Sequence, residues 1–261
     1  MLSPFRRLAE RRAVMRLDGK RVLVIGASSG LGYAIAMATA KEGARVALSA
    51  RRTDLIETAA KQAGNDAVAL TGDVSDGDAC AELVRGAVEA LGGLDAFVYA
   101  PALGTLSRLI DADAQMWHDV FAINVIGAAQ VTRAALPHLT ASDGVALYIS
   151  SVSGTLTPPW PGLGLYLVSK AALERMVSAW RIEHPEVRFG CLVVGPAGSS
   201  PEAPSEFGRT WDMKLAAEMM PTWAQRGLMT GAVISPVDVC NQVINMLITN
   251  ATLSTVVLEP R

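Results

Sequence analysis

One stretch near the start of the chain constrains its fold more than any other. A β-branched apolar run at 21–25 leads directly into a glycine-rich turn at 26–32. A helical pattern continues from 34 to 42, and a second apolar run follows at 45–49. Apolar runs of this length are typical of strands that are buried on both faces of a parallel sheet. The stretch therefore predicts a β-α-β unit.

The glycines of the turn have a mechanical interpretation. Gly26 allows a tight turn out of the strand, Gly30 allows the backbone to approach a pyrophosphate, and Gly32 allows the helix to pack close to the sheet. The N–H groups that are free at the start of the helix would then face the phosphates. A glycine-rich turn that binds no ligand is the alternative.

Two arginines, Arg51 and Arg52, follow the second strand of this unit. A carboxylate at this point would bond the ribose 2′-hydroxyl of NAD, and the sequence has none there. Guanidinium groups would instead pair with the 2′-phosphate of NADP. The sequence therefore predicts NADP(H) in preference to NAD(H). The alternative, that both arginines are solvated and that NAD(H) also binds, stays open.

The remaining chain alternates strand and helix patterns without an internal repeat or an interdomain linker. Strand patterns lie at 67–71, 94–98, 145–149, 187–194 and 254–258. Helical patterns lie at 54–62, 76–91, 115–139, 166–183 and 237–248, with N-caps expected at Asp76 and near Ser235. This alternation predicts the α/β class. We expect one doubly wound, Rossmann-type domain over 18–261, with a parallel sheet of about seven strands and helices on both faces.

Two segments fall outside the alternation. Arginines alternate with apolar residues in 1–17, which we interpret as a basic N-terminal extension. A targeting presequence is the alternative, but Glu10 and the shortness of the basic stretch argue against it. Residues 199–230 are rich in Pro, Met and Trp, and we expect them to form a lid over an apolar substrate pocket.

Tyr166 and Lys170 stand four residues apart in a predicted helix and therefore share one face. A neighbouring ammonium favours the phenolate and lowers the pKa of a tyrosine from its ordinary value of about 10. Such a pair exchanges protons near neutral pH. A serine cluster, 150–153, ends the fifth strand, where open α/β sheets bind ligands. A serine hydroxyl there would bond a substrate oxygen beside the tyrosine.

Asn124 interrupts an otherwise apolar helix, where an amide is costly unless its hydrogen bonds are made. Two interpretations stay open. The amide either holds a water molecule for a proton relay, or it makes a purely structural hydrogen bond.

Taken in this order, the glycine turn, Asn124, the serines and the Tyr166/Lys170 pair resemble the short-chain dehydrogenase/reductase family. The resemblance covers residues 18 to about 258. It implies catalytic roles for Asn124, Ser151, Tyr166 and Lys170, with Ser153 as the second candidate for the serine. It implies cofactor contacts from Gly26, Ser28, Ser29, Gly30, Leu31, Gly32, Arg51, Arg52, Asp73, Val74, Ala100, Tyr166, Lys170 and Ser199.

The chain also departs from the family pattern. Tyr99-Ala100-Pro101-Ala102 replaces the usual Asn-Asn-Ala-Gly after the fourth strand. The interval from Ser151 to Tyr166 is about two residues longer than is common, and we expect 157–161 to bulge outwards. The family usually has Pro-Gly after the sixth strand, where this chain has Gly195-Pro196. These departures indicate an atypical member.

The resemblance implies an NADP(H)-dependent oxidoreductase that interconverts a ketone and a secondary alcohol. A lid with few charges suits a lipophilic small molecule, such as a steroid-like, terpenoid or acyl compound. The alternative is a non-catalytic nucleotide-binding sensor or scaffold on the same fold. A sugar-nucleotide epimerase or dehydratase is disfavoured, because those relatives have a different glycine spacing and a longer C-terminal substrate domain.

Composition narrows the partners and the compartment. The net charge of −2 does not suggest nucleic acid or an anionic membrane surface as a partner. Cys80, Cys191 and Cys240 lack metal-ligand spacing and lie in apolar segments, which indicates buried thiols in a reducing, cytoplasmic compartment. No apolar run approaches the ~20 residues of a membrane span, so stable insertion is not expected. The long helices carry apolar residues on more than one face, which predicts a homodimer or homotetramer.

Overall fold

Parallel strands form the centre of the structure, and the predicted β-α-β unit contributes two neighbouring strands of the sheet. The computed structural model describes residues 15–229 and 231–261. The strands are β1 (Arg21–Ile25), β2 (Arg45–Ala50), β3 (Val68–Thr71), β4 (Ala96–Tyr99), β5 (Val145–Ser151), β6 (Arg188–Val194) and β7 (Thr255–Leu258). All ladders are parallel, and the order across the seven-stranded sheet is β3-β2-β1-β4-β5-β6-β7.

Helices connect the strands and cover both faces of the sheet. They are α1 (Gly30–Lys41), α2 (Thr53–Ala63), α3 (Gly77–Leu91), α4 (Ala114–Phe121), α5 (Gly127–Ser142), α6 (Val152–Thr155), α7 (Gly164–Glu183), α8 (Met213–Gln225) and α9 (Pro236–Ile248). A π-helical turn, Ala122–Ile126, joins α4 to α5 without a break. The predicted doubly wound α/β fold is confirmed.

Strand β1 shows why helices cover both faces of the sheet. Successive side chains of a strand point to opposite faces. Val22 and Val24 pack with residues of α1, α2 and α9, whereas Leu23 and Ile25 pack with residues of α3, α5 and α7. All four side chains are at most 1% exposed. A strand that is apolar on both faces requires a helical layer on each side.

Both predicted helix caps are present in the structure. The Asp76 side chain accepts hydrogen bonds from the N–H groups at the start of α3, and Ser235 caps α9 in the same way. Residues 1–14 of the predicted extension lie outside the described residues. Leu17, at the end of the predicted extension, is buried in the core, and Arg16 forms an ion pair with Glu42 at 2.8 Å. The packed domain therefore begins before residue 18.

The long helix formed by α4, the π turn and α5 passes a test of length and apolarity for a membrane span. This helix also packs against the sheet. Val131, Ala135 and Leu139 lie fully buried in the same core as α3 and α7. Packing against the sheet thus accounts for much of its apolar character.

The topology creates a crevice at the carboxyl ends of the strands. From β1 the chain moves outwards to β2 and β3, and it then returns to place β4 on the other side of β1. The connections after β1 and β4 therefore leave on opposite sides, which opens a crevice beyond the carboxyl ends of these strands. Open α/β sheets bind ligands at such a switch point.

One ion pair joins β1 to β4 at the amino-terminal ends of the strands. Arg21 donates its backbone N–H, its Nε and its Nη2 to the Asp95 carboxylate at 2.7–2.9 Å. Its Nη1 donates to the carbonyl oxygen of Gly92. Burial raises the pKa of Asp95, but the hydrogen bonds and the charge of Arg21 outweigh that effect and leave the pKa below its ordinary value.

We expect Asp95→Asn to lower the free energy of unfolding by about 1–3 kcal/mol at pH 7, the range for lost hydrogen bonds to charged groups. Because the folded pKa is depressed, the stabilisation is complete above the unfolded pKa of about 4 and is lost as the pH falls through the folded value. Urea unfolding between pH 7 and pH 3 measures both effects. Glu89→Gln, in an exposed ion pair with Arg85, is the control and should change little. A difference that does not depend on pH would contradict the assignment.

Candidate active site

A cleft of about 850 Å³ opens at the carboxyl edge of the sheet, between the start of α1 and the face of α7. It brings together nearly all of the site residues that were predicted from the sequence. Those that line it are Gly26, Ser28, Ser29, Gly30, Leu31, Gly32, Arg51, Arg52, Asp73, Val74, Ala100, Ser151, Tyr166 and Lys170. Asn124 and Ser199 do not line it.

The glycine turn has the form that a bound phosphate requires. Gly26 adopts a φ of +80°, and a Cβ on it would lie 2.8 Å from the backbone nitrogen of Pro101. A Cβ on Gly32 would lie 2.2 Å from the carbonyl oxygen of Gly26, so only glycine allows α1 to pack this close. Within the described residues, the Ser29 side chain does not cap the start of α1. The turn and its backbone donors therefore fit a dinucleotide.

The two arginines after β2 occupy different positions. Arg52 Nη2 donates to the hydroxyls of Ser28 (2.9 Å) and Ser29 (3.3 Å), so its guanidinium lies over the glycine turn. Arg51 lies at the outer rim, with its side chain 65% exposed and its Nη1 at 3.8 Å from Asp73 Oδ2. Arg52 is therefore the better placed of the two cations to bind an anion inside the cleft.

The tyrosine, the lysine and the serine meet at the other end of the cleft. Lys170 is buried, and its Nζ donates to the carbonyl oxygen of Ile149 at 2.8 Å. The same Nζ lies 5.7 Å from the centroid of the Tyr166 ring. Ser151 Oγ lies 2.8 Å from Ser153 Oγ, so both serine candidates share one hydrogen bond. The predicted acid–base constellation is thus assembled in one place.

The electrostatics of this pair differ from the sequence prediction. Burial raises the pKa of Tyr166 to about 12, while the Ser151 hydroxyl acts to lower it and the charge of Glu174 to raise it further. Burial lowers the pKa of Lys170 to about 8. The expected lowering of the tyrosine pKa by the lysine was therefore wrong. Loss of hydration destabilises the buried phenolate and is the largest influence on its pKa.

Asn124 does not line the cleft but bonds to the backbone of Leu103, which does. Its Oδ1 accepts the N–H of Leu103 at 2.7 Å, and its Nδ2 donates to the carbonyl oxygen of Leu103 at 3.0 Å and to Ser169 Oγ at 2.9 Å. The hydroxyl of Tyr99, at the family's asparagine position, donates to the carbonyl of Ile123 in the same π turn. Between the two interpretations, these bonds support the structural one.

Sequence reasoning missed Glu174, one helical turn beyond Lys170 on the same face of α7. Its two carboxylate oxygens accept hydrogen bonds from Ser150 Oγ (2.6 Å) and Thr155 Oγ1 (2.8 Å). In the sequence these two hydroxyls stand on either side of Ser151 and Ser153. A Cβ on Gly154 would lie 3.2 Å from Glu174 Oε1, so the loop lies close against α7. The four-residue spacing from Tyr166 to Lys170 to Glu174 was the available signal.

The segment expected to form a lid lies over one end of the cleft. Helix α8 covers an apolar cluster that contains Leu106, Leu163, Leu167 and Trp223. Trp160, which was expected to bulge outwards, instead lines the cleft and packs on Trp223 with ring centroids 5.6 Å apart. An indole in that position gains a buried apolar surface, which outweighs the outward turn suggested by the neighbouring prolines.

Comparisons with known proteins agree with this geometry. The sequence profile described as short chain dehydrogenase matches residues 20–206. The chain is 30% identical to glycine betaine reductase of Emericella nidulans over 94% of its length, which is 19% of that protein. It is 33% identical to 11-beta-hydroxysteroid dehydrogenase-like 2 of Arabidopsis thaliana, over 69% of the chain and 59% of that protein. It thus spans less than two thirds of either relative.

Solved structures show the same fold. An alcohol dehydrogenase from the archaeon Thermococcus sibiricus, complexed with 5-hydroxy-NADP, superposes with a TM-score of 0.76 at 26% identity. The superposition covers 92% of this chain and 95% of that one. Because the profile matches well over half of the sequence and the fold agrees, the chain belongs to the short-chain dehydrogenase/reductase family and is an NAD(P)-dependent oxidoreductase domain of that family.

Proposed function

We propose that this domain reduces a ketone on a lipophilic small molecule to a secondary alcohol with NADPH, and runs the reverse oxidation at higher pH. One observation carries the proposal: Ser151, Tyr166 and Lys170 converge in the same cleft as the glycine turn and Arg52. When bound, the nicotinamide supplies or accepts a hydride. The protein's own residues supply the proton and hold the substrate oxygen.

The state of the tyrosine supports the direction of the reaction. With a pKa of about 12, the phenol of Tyr166 is protonated at neutral pH and can donate its proton to a carbonyl oxygen. The Ser151 hydroxyl would hold that oxygen. Lys170, fixed to the carbonyl of Ile149, would stabilise the phenolate that remains. Oxidation requires the phenolate first, so it gains from alkaline conditions.

The cofactor and substrate classes follow from what lines each end of the cleft. Arg52, Ser28 and the glycine turn would hold NADP(H), with Arg51 at the rim; NAD(H) stays the second candidate. Asp73 and Val74 would contact the adenine. The other end is lined by Leu103, Trp160, Leu163, Phe207 and Trp211, which favours an apolar ring system. The name of the Arabidopsis relative agrees with a hydroxysteroid-sized substrate.

The remaining expectations stay proposals. Exposed apolar side chains on the long helices, including Ile126 and Val168, are consistent with a homodimer or homotetramer. Cys80, Cys191 and Cys240 are unpaired, buried thiols, which suits a cytoplasmic protein. We assign residues 16–261 to the oxidoreductase domain, which adds Arg16 and Leu17 to the range expected from the sequence, and 199–230 to its substrate lid.

The non-catalytic alternative has one observation in its favour. The ring of Phe207 packs against that of Tyr166 at a centroid distance of 4.8 Å, which covers the proposed acid. NADPH turnover with a broad panel of ketones and quinones separates the two functions. Tight nucleotide binding with no turnover on any of them would favour a sensor or scaffold.

We expect Tyr166→Phe to reduce kcat at least ~100-fold at neutral pH, the usual contribution of a positioned general acid. The change removes only the hydroxyl, so nucleotide affinity and folding should be retained. Steady-state kinetics of NADPH oxidation with an active ketone measures kcat, and fluorescence titration measures binding. Tyr33→Phe removes a hydroxyl that lies outside the cleft and bonds to Gln62, and is the matched control. An unchanged kcat would remove Tyr166 from its role.

We expect Arg52→Ala to raise the KM for NADPH roughly 10-fold or more, because charge-assisted hydrogen bonds contribute about 1.5–3 kcal/mol. The KM for NADH should change much less, since the ribose of that nucleotide carries no phosphate. Arg85→Ala, in an exposed pair on α3, serves as the control. A wild-type KM that is lower for NAD⁺ than for NADP⁺ would contradict the cofactor assignment.

Glu174→Gln tests the influence of the Glu174 charge on the tyrosine. The carboxylate acts to raise the pKa of Tyr166, so its neutral replacement should lower that pKa. In the oxidation direction kcat rises as the phenol loses its proton, and this rise should therefore occur at lower pH in the variant. A kcat–pH profile from pH 8 to 12 measures the shift, with Glu183→Gln at the exposed end of α7 as control. A profile that stays in place or moves upwards would refute the influence of Glu174.

A further inference from the structure

Part of the lid crosses the cleft between its two ends. We call residues 203–211 the strap. At its start, the carbonyl oxygen of Ala203 accepts the backbone N–H of Gly30 at 2.9 Å, and Ser205 lies against the same glycine. The strap is therefore attached to the glycine turn at which α1 begins.

The next residue of the strap, Glu206, forms an ion pair with Arg52. Arg52 Nη1 donates to the Glu206 carboxylate, while its Nη2 donates to Ser28 and Ser29. Arg209 Nε lies 3.6 Å from the other oxygen of the same carboxylate. The cation that we assign to the 2′-phosphate thus already has an anionic partner within the chain.

The far end of the strap is fixed at the tyrosine. Trp211 Nε1 donates to the carbonyl oxygen of Gly104 at 2.6 Å. The ring of Phe207 packs on Tyr166 and lies directly over Gly104, where a Cβ would come within 2.1 Å of it. Any side chain at position 104 would therefore displace the strap.

The cleft nevertheless keeps a volume of about 850 Å³ with the strap in place. That volume is typical of small-molecule and cofactor sites. The strap thus bounds the cleft without filling it, and a nucleotide at the glycine turn would lie beside Glu206. A carboxylate at that position would distinguish a nucleotide that carries a 2′-phosphate from one that does not.

We propose that Glu206 is a specificity-determining residue, which weakens the preference for NADP(H) over NAD(H) by sharing Arg52 with the 2′-phosphate. The inference rests on the proposed function, in which Arg52 binds that phosphate. A phosphate beside Glu206 is repelled by the carboxylate and must compete for the guanidinium. The 2′-hydroxyl of NAD(H) carries no charge, so the Arg52–Glu206 pair stays intact when it binds.

The charge of Glu206 therefore acts on one nucleotide and not on the other. Glu206→Gln keeps the length of the side chain and an acceptor for Arg52 but removes the charge. We expect it to lower the Kd for NADP⁺ about three- to fivefold, the scale of a partly exposed ion pair. The Kd for NAD⁺ should stay within twofold or increase.

Calorimetric titration with NADP⁺ and NAD⁺ gives both constants without requiring turnover. Glu202→Gln is the matched control, because Glu202 lies in the same lid segment and bonds to Ser200 instead of Arg52. Titration with 2′,5′-ADP, which carries the 2′-phosphate but no nicotinamide, should show the same gain as NADP⁺. Equal changes for NADP⁺ and NAD⁺, or no change for either, would overturn the proposal.

Arg52→Ala separates this inference from the function on which it rests. If Arg52→Ala weakens NADP⁺ binding and Glu206→Gln changes nothing, only the role of Glu206 fails. If neither substitution affects NADP⁺, the assignment of Arg52 to the 2′-phosphate fails as well. A loss of NAD⁺ affinity in Glu206→Gln with no gain for NADP⁺ would instead make Glu206 a partner of the ribose hydroxyl, which also overturns the proposal.

Discussion

The site depends on a hydrogen bond between one buried ammonium and one carbonyl oxygen. Lys170 lies in the interior of the domain, where an amine without a partner would be costly. The carbonyl of Ile149 provides that partner at the end of β5. This bond fixes helix α7 against the strand that carries the serines, so that Tyr166 and Ser151 meet at the same point. Glu174 strengthens the attachment one turn further along, through Ser150 and Thr155.

The two ends of the cleft differ in charge: one holds a neutral phenol and the other a guanidinium. At the tyrosine, burial keeps the phenol in its neutral form, which makes it a proton donor rather than a base at neutral pH. At the glycine turn, the guanidinium of Arg52 remains partly exposed and pairs with a carboxylate. The strap spans both ends, with a carboxylate at the cationic one and an aromatic ring at the neutral one. A single segment of chain is thus complementary to both halves of the cleft.

The parts of this structure that could be predicted from sequence are those that local pattern and spacing determine. The apolar run at 21–25 and its glycine turn fixed the β-α-β unit, and Asp76 fixed the start of α3. Neither the reversal of the tyrosine pKa nor the Arg52–Glu206 pair has a local signal. The first depends on how completely the tertiary fold excludes water around Tyr166. The second joins residues 154 positions apart, through a lid whose path no periodicity describes.

The position of β1 in the sheet has a consequence for how the chain folds. Its partner on one side, β2, begins at residue 45, directly after helix α1. Its partner on the other side, β4, begins only at residue 96, where Val22 pairs with Ala96. Until β4 has been synthesised, a strand that is apolar on both faces presents an unpaired edge, and such edges are prone to association with other chains. Such non-local parallel pairing also slows folding. The same strand order that opens the crevice therefore leaves one edge of β1 unpaired until more than 70 further residues have been synthesised.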